Sequence, residues 1–97
     1  LSAEVVDIRC LVPLDLETIA ASVRKTGRCV VASQAVSIGS FTGEIASTIQ
    51  DRAFDYLDAP VVRVTAADAP VPMSEPLEDA CIPGVERIIT GIRQVLA

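Results

Sequence analysis

The stretch Ala3–Ser33, AEVVDIRCLVPLDLETIAASVRKTGRCVVAS, decides the fold because a strand pattern, a helix pattern and a second strand pattern follow one another in it. Val5, Val6 and Ile8 make the β-branched run of a buried strand, which we predict over Ala3–Arg9. A proline then interrupts the run, so the extended segment and the helix that follows it are separate elements.

The helix pattern begins after Pro13, where Asp15 is a typical N-cap residue. Apolar residues then recur at helical spacing at Leu16, Ile19, Ala20 and Val23. Gly27, which follows the basic pair Arg24-Lys25, predicts the end of this helix. The run RCVVAS that comes next, Arg28–Ser33, predicts a second buried strand.

The rest of the chain repeats this alternation of helices and strands. A turn over Val36–Gly43 leads into a predicted helix over Glu44–Leu57, and PVVRVT, Pro60–Thr65, predicts a third strand. Pro83 suits the first turn of a terminal helix. That helix has the clearest amphipathic pattern in the chain. Its apolar residues are Val85, Ile88, Ile89, Ile92 and Val95. The apolar face of the preceding predicted helix consists of Ile45, Ile49 and Ala53.

Buried strands that alternate with helices predict an α/β fold, with three α/β/α layers around a mostly parallel sheet. The 97 residues suit a single domain spanning 1–97. Three strands make a thin sheet for this architecture, so we expect the domain to be incomplete on its N-terminal side. We also expect exposed apolar surface at the open sheet edge, and therefore a tendency to self-associate.

Composition excludes several classes of function. The net charge is −5, from 13 acidic and 8 basic residues, which argues against binding to nucleic acid or an anionic membrane. No apolar run reaches the roughly 20 residues of a membrane span. The chain has no histidine, which excludes a histidine-based catalytic triad and disfavours a metal site. Of the cysteines Cys10, Cys29 and Cys81, two lie in apolar runs and are interpreted as small core residues.

Two short segments have a chemical and a structural interpretation. Asp55 and Asp58 are spaced like paired acid–base carboxylates, but we favour their placement at the exposed end of a helix. GSFTG, Gly39–Gly43, opens a helix and could bind phosphate on backbone N–H groups, but its glycines are better explained by a tight turn. Neither segment predicts an active site.

The loop Ala66–Pro83 is long for a compact domain and contains Pro70, Pro72 and Pro76. Proline lowers the entropic cost of holding such a loop in one shape. The loop is either a packed, solvated crossover or a preformed acidic surface for a protein partner. In the second case its carboxylates are the candidate partner-binding residues, namely Asp68, Glu75, Glu78 and Asp79.

These motifs carry a family resemblance. The stretch Glu4–Arg28 resembles part of the transketolase C-terminal domain, with D-x-R at Asp7–Arg9, P-L-D at Pro13–Asp15 and K-T-x-R at Lys25–Arg28. Two further stretches resemble a smaller group of proteins within that family, namely residues 53–72, AFDYLDAPVVRVTAADAPVP, and residues 77–88, LEDACIPGVERI. They are similar to the beta subunit of the thiamine diphosphate-dependent component of 2-oxo acid dehydrogenase complexes, either the pyruvate or the branched-chain 2-oxo acid dehydrogenase.

The resemblance implies that the full enzyme decarboxylates a 2-oxo acid oxidatively and transfers the acyl group to a lipoyl arm, with thiamine diphosphate and magnesium as cofactors. It implies no catalytic, cofactor-binding or metal-binding residue in this chain, which we expect to be inactive alone and to bind no thiamine diphosphate. The implied partners are the alpha subunit and the basic subunit-binding domain of the acyltransferase core. The implied location is the bacterial cytoplasm or the mitochondrial matrix.

One segment departs from the family pattern. SQA, Ser33–Ala35, stands where relatives often have histidine-glutamate or another acidic pair, which leaves open any role of this strand end in subunit contacts. GSFTGEI, residues 39–45, resembles the branched-chain enzymes more than the pyruvate enzymes. Two alternatives stay open: the C-terminal domain of another thiamine enzyme such as transketolase, or a free-standing protein-interaction module.

Overall fold

The computed structural model describes residues 2–66, 76 and 83–96. Helix α1 spans Leu16–Thr26, strand β1 spans Val30–Val36 and helix α2 spans Phe41–Ala53. A short 3₁₀ helix, Phe54–Tyr56, follows α2. Strand β2 spans Val62–Ala66, and helix α3 spans Val85–Leu96. The alternation of helices and strands predicted from the sequence is therefore confirmed from α1 onward.

The two strands form a parallel pair. Val30 lies opposite Val62 and Ala32 opposite Val64, and an irregularity between Ala32 and Val36 shifts the register. Parallel pairing requires a crossover connection, which α2 provides between the strands. The mostly parallel α/β sheet expected from the sequence is present.

Helices cover both faces of the sheet. On one face α1 and α2 bury a core of Ile19, Val23, Val31, Ile45, Ile49 and Ala53. On the other face α3 packs on the strands at Gly91, where an added Cβ would lie 2.6 Å from Val64 Cγ2. The absence of a side chain at Gly91 thus lets the helix approach the sheet closely, and the three α/β/α layers are confirmed.

Both ends of α1 follow the predicted capping chemistry. The Asp15 carboxylate accepts a hydrogen bond from the Thr18 N–H at 3.2 Å and another from the Thr18 hydroxyl at 2.7 Å. Gly27 ends the helix with φ +76°, and its N–H donates to the Val23 carbonyl at 2.8 Å. An L side chain disfavours this backbone angle, so glycine is needed here.

The predicted strand over Ala3–Arg9 is wrong. The segment has no regular structure, although Val6 and Ile8 are half-buried against the core. A strand needs a neighbour with which to exchange backbone hydrogen bonds, and this segment pairs with neither β1 nor β2, the strands of the described sheet. The β-branched side chains of this segment therefore pack against the core although its backbone forms no strand hydrogen bonds. Lys25 Nζ also contacts Glu4 Oε2 at 2.7 Å, which ties the segment to α1.

Other predicted boundaries shift by a few residues. β1 runs beyond the predicted Ser33 to Val36, and α2 begins at Phe41 and changes to 3₁₀ geometry at Phe54. The expected core location fits Cys29, which is partly buried, but not Cys10, which is exposed. The large exposed apolar residues lie outside β1 and β2, so the expected apolar sheet edge is not observed in the described strands.

Candidate partner-binding surface

The four acidic residues predicted to bind a partner lie outside the described residues. Asp68, Glu75, Glu78 and Asp79 all belong to the segment between β2 and α3. Their role as a docking surface stays a prediction. The described residues, however, present two exposed surfaces of different chemical character.

Hydrogen bonds hold the turn between β1 and α2. Gly39 turns the chain with φ +72°, and the Ser40 and Thr42 hydroxyls lie 2.6 Å apart in a hydrogen bond. Arg63 Nη1 donates to the Ser37 carbonyl at 2.9 Å and so links this turn to β2. This geometry supports the structural interpretation of GSFTG as a strand-to-helix turn.

The first exposed surface lies at the C-terminal end of α2. Phe54, Asp55, Tyr56 and Asp58, which we call the aromatic–acidic patch, are all exposed. Phe54 is 65% and Tyr56 49% exposed, although aromatic side chains have the most apolar area to bury. This placement agrees with the interpretation of Asp55 and Asp58 as residues at an exposed helix end.

Backbone hydrogen bonds fix the position of the aromatic–acidic patch. The last turn of α2 tightens into the 3₁₀ helix, and the Leu57 N–H donates to the Phe54 carbonyl at 3.2 Å. The Asp58 N–H then donates to the Gly27 carbonyl at 2.7 Å, which anchors the turn to the end of α1. The Arg24 guanidinium lies 5.9 Å from the centre of the Tyr56 ring, within the range of a cation–π contact.

A shallow depression adjoins the patch. It has a volume of about 210 Å³ and is lined by Gln50, Phe54, Leu57, Asp58, Ala59 and Pro60. Its lining is mainly apolar, with a carboxylate and an amide at the rim.

Sequence reasoning did not identify this patch as a binding surface, although a signal was present. The apolar stripe of α2 runs through Ile45, Ile49 and Ala53, and all of these are buried. Phe54 and Tyr56 fall off that stripe. Aromatic residues that lie outside a buried stripe are therefore the pattern that could have indicated the surface.

The second exposed surface is on α3. Gly91 and Val95 are buried against the sheet, and Ile88 is half-buried beside them. The neighbouring residues Val85, Ile89 and Leu96 are 73%, 39% and 42% exposed, and Ile92 between them is half-buried. These last four residues, which we call the α3 stripe, are spaced four, three and four positions apart and so lie along one side of the helix.

The titratable groups with shifted pKa values are structural. The hydrogen bond from Lys25 lowers the pKa of Glu4, and the same contact raises the pKa of Lys25. Burial raises the pKa of the Cys29 thiol, which leaves it protonated and unreactive near neutral pH. None of these groups belongs to either exposed surface.

Comparison with known proteins identifies the family. Residues 1–88 match the family described as "Transketolase, C-terminal domain". The chain belongs to the transketolase C-terminal domain family. This match covers nearly all of the described structure, and it agrees with the helix-covered parallel sheet.

Individual relatives of this transketolase C-terminal domain are dehydrogenase subunits. The chain is 46% identical over 96 residues to the 2-oxoisovalerate dehydrogenase subunit beta of Pseudomonas aeruginosa. It is 41% identical over 97 residues to the mitochondrial pyruvate dehydrogenase E1 component subunit beta of Saccharomyces cerevisiae. It is also 41% identical over 95 residues to the 3-methyl-2-oxobutanoate dehydrogenase subunit beta of Mycobacterium tuberculosis.

The alignments cover almost the whole transketolase C-terminal domain but little of each relative. They include 98–99% of this chain and 26–27% of the relatives. The chain thus spans about a quarter of the length of the curated relatives it matches. Because only this part of each relative is aligned, the similarity shows the family to which the domain belongs.

The described part of this transketolase C-terminal domain contains no set of metal ligands that would hold a magnesium-bound diphosphate. A magnesium-bound diphosphate needs a set of converging oxygen ligands. Within residues 2–66 and 83–96, no three cysteine, aspartate or glutamate side chains lie close enough together to hold a metal ion. The hydroxyls at the start of α2 bind each other. No catalytic step is therefore assigned to these residues.

Among the described residues of the domain, no helix is both long and apolar enough to span a bilayer.

Proposed function

We propose that this chain is the C-terminal part of the beta subunit of a 2-oxo acid dehydrogenase component. The observation that carries the proposal is similarity at 41–46% identity, over nearly the whole chain, to beta subunits of such dehydrogenases. In the complete component, thiamine diphosphate with magnesium would supply decarboxylation and acyl transfer to a lipoyl group. The local role of this chain is assembly.

The α3 stripe supports an assembly role. Its exposed side chains are valine, isoleucine and leucine, which resemble the interior of a domain more than a solvated surface. Permanent interfaces are apolar in this way, since their surfaces are never exposed separately. We infer that the remainder of the assembled component, which includes the alpha subunit, covers this stripe.

The substrate, the docking residues and the location of the component are proposed from the sequence motifs and the relatives. GSFTGEI, residues 39–45, favours a branched-chain 2-oxo acid as substrate. The acidic residues Asp68, Glu75, Glu78 and Asp79 are proposed to assist docking of the basic subunit-binding domain of the acyltransferase core. The bacterial cytoplasm or the mitochondrial matrix is the proposed location, since relatives include bacterial and mitochondrial proteins.

The experiment introduces Ile89→Asp into the complete beta subunit and measures copurification with the alpha subunit and decarboxylation of branched-chain and straight-chain 2-oxo acids. A charge on the α3 stripe should abolish or strongly reduce assembly because a buried carboxylate is left unpaired. Val12→Asp is the matched control, since Val12 is 81% exposed and lies outside the stripe. In the 97-residue chain alone the same Ile89→Asp change should only weaken stability, since the side chain is 39% exposed there, and the chain should still fold.

Two results would contradict the proposal in different ways. If the unaltered complete subunit neither binds an alpha subunit nor decarboxylates any 2-oxo acid with it, the assignment to these complexes is wrong. If the Ile89→Asp subunit assembles as well as the Val12→Asp subunit, the assignment stands but the α3 stripe is not the assembly surface.

A further inference from the structure

Arg28 carries a buried hydrogen-bond donor that no described group satisfies. The residue lies between the end of α1 and the start of β1. Its side chain is half-buried, and its Nε is buried without a hydrogen-bond partner. The described residues form two ion pairs, and Arg28 takes part in neither. A buried donor of a charged group is destabilising unless an acceptor faces it, because its hydration is lost without replacement.

The turn between α1 and β1 does not require an arginine side chain. The Arg28 carbonyl accepts a hydrogen bond from the Thr26 hydroxyl at 3.1 Å. The next residue, Cys29, packs against the core, and its carbonyl accepts a hydrogen bond from the Val62 N–H at 3.2 Å. These contacts use the backbone of Arg28 and the residue that follows it. The local structure therefore gives no reason for a guanidinium at this position.

The strand that begins beside Arg28 has one unpaired side. β1 pairs with β2, and the described sheet has no strand along the other side of β1. Ala32, Gln34 and Ala35 of β1 are exposed, whereas the strands of a parallel sheet are normally covered on both faces. Under the proposed function most of the beta subunit precedes this chain, which spans about a quarter of the length of its relatives. That preceding part can supply a strand beside β1.

We propose that Arg28 binds a carboxylate from the part of the beta subunit that precedes this chain, at the start of a strand that pairs with the free side of β1. The inference rests on the proposed function, which supplies that preceding part. The amino ends of neighbouring parallel strands lie side by side, so an aspartate or glutamate at the amino end of the added strand would face Arg28. A carboxylate can accept hydrogen bonds from Nε and a terminal nitrogen of the guanidinium together, which would satisfy the buried donor.

The test measures urea unfolding of Arg28→Met in the 97-residue chain and in the complete component, beta subunit assembled with alpha. Methionine keeps the apolar stem of the side chain but removes the donor. In the 97-residue chain the urea midpoint should stay the same or rise, because an unsatisfied buried donor is removed. In the complete component the midpoint should fall by about 0.5 M or more, because the carboxylate is left buried and unpaired. Arg52→Met, at an exposed position in the last turn of α2, is the matched control and should leave both midpoints unchanged.

A double-mutant cycle in the complete component identifies the partner. Each aspartate and glutamate of the preceding part is replaced by asparagine or glutamine, alone and together with Arg28→Met. One of these replacements should lower the urea midpoint about as much as Arg28→Met does, and the two together should cause no further loss, because they remove the same contact.

Three results would overturn the inference. The first is an equal fall of the midpoint in the 97-residue chain and in the complete component, and the second is no fall in the complete component. The third is that no acidic residue of the preceding part couples to Arg28. Copurification of the unaltered beta subunit with alpha and its decarboxylation of 2-oxo acids are measured separately. Failure there contradicts the proposed function, whereas failure of the Arg28 predictions in an active component contradicts only this inference.

Discussion

The contact between α3 and the sheet predicts an unusual response to Gly91→Ala. In most helix interiors this change stabilises a protein by about 1 kcal/mol, because alanine has the higher helix propensity. Here the new Cβ would lie 2.6 Å from Val64 Cγ2, and 3.6 and 3.7 Å from methyl carbons of Val30 and Val62. Carbon atoms in contact prefer about 3.5–4.0 Å, so helix and strand must separate by roughly 1 Å.

The magnitude follows from two opposing terms. Overpacking of a core costs about 1–3 kcal/mol, and Val64 cannot rotate away easily because a β-branched side chain is stiff at χ1. Subtracting the propensity gain of about 1 kcal/mol leaves an expected net loss of up to about 2 kcal/mol. Gly91→Ala should therefore lower the urea midpoint of the 97-residue chain.

The decisive comparison repeats Gly91→Ala in a Val64→Ala background. Removing the Val64 methyl carbons opens the space that the new Cβ needs, so Gly91→Ala should now stabilise the protein by about 1 kcal/mol. Gly43→Ala in α2 is a control, since its Cβ would contact only Arg63 Nη1, at 3.3 Å, which belongs to an exposed side chain and not to a core methyl group. Urea unfolding followed by circular dichroism measures all variants. The same effect of Gly91→Ala in both backgrounds would refute the reasoning.

Three further predictions concern the ends of α1 and the two described cysteines. Gly27→Ala should destabilise the chain by more than Gly39→Ala in urea unfolding, because both glycines have positive φ but only at Gly27 would the new Cβ clash, 2.6 Å from a carboxylate oxygen. Hydrogen bonds from Thr18 hold the pKa of Asp15 below its usual range, so its stabilising contribution is present above about pH 4 and is lost as the pH falls through the lowered pKa. Stability curves of the wild type and Asp15→Asn should therefore converge in acid, and a constant difference across that range would contradict the assignment. Cys10 should react with a thiol reagent about tenfold or more faster than Cys29 at pH 8, because Cys10 is exposed whereas burial raises the pKa of the Cys29 thiol. Peptide mass spectrometry at timed intervals measures both rates, and faster labelling of Cys29 would contradict the prediction.

Local signals in the sequence predicted the elements whose causes are local. Asp15 and Gly27 act within a few residues of their positions, through an N-cap hydrogen bond and a left-handed backbone angle, so both ends of α1 are correctly placed. Ile45, Ile49 and Ala53 are buried as their spacing predicts. The family resemblance, carried by residues 4–28, 53–72 and 77–88, is likewise confirmed by the match of residues 1–88.

Long-range contacts decided what local signals could not. Ala3–Arg9 has the composition of a strand, but a strand forms only where it pairs with a neighbour, and this segment pairs with neither β1 nor β2. The periodic pattern of α3 likewise predicts an apolar face without showing how much of it the sheet covers. Burial at Val95 and exposure at Val85 follow from where the helix lies on two short strands.

The sequence by itself therefore determined the alternation of helices and strands, the caps of α1, the acidic balance and the family, because each depends on residues close together in the chain or on composition alone. Only the tertiary structure decided that α3 packs through Gly91, that its stripe stays exposed and that Phe54 and Tyr56 project beside Asp55 and Asp58. Which side chains the fold covers and which it leaves exposed depends on contacts between residues distant in the chain. They arise because packing fills the space between elements, and the shape of that space is set by the whole fold.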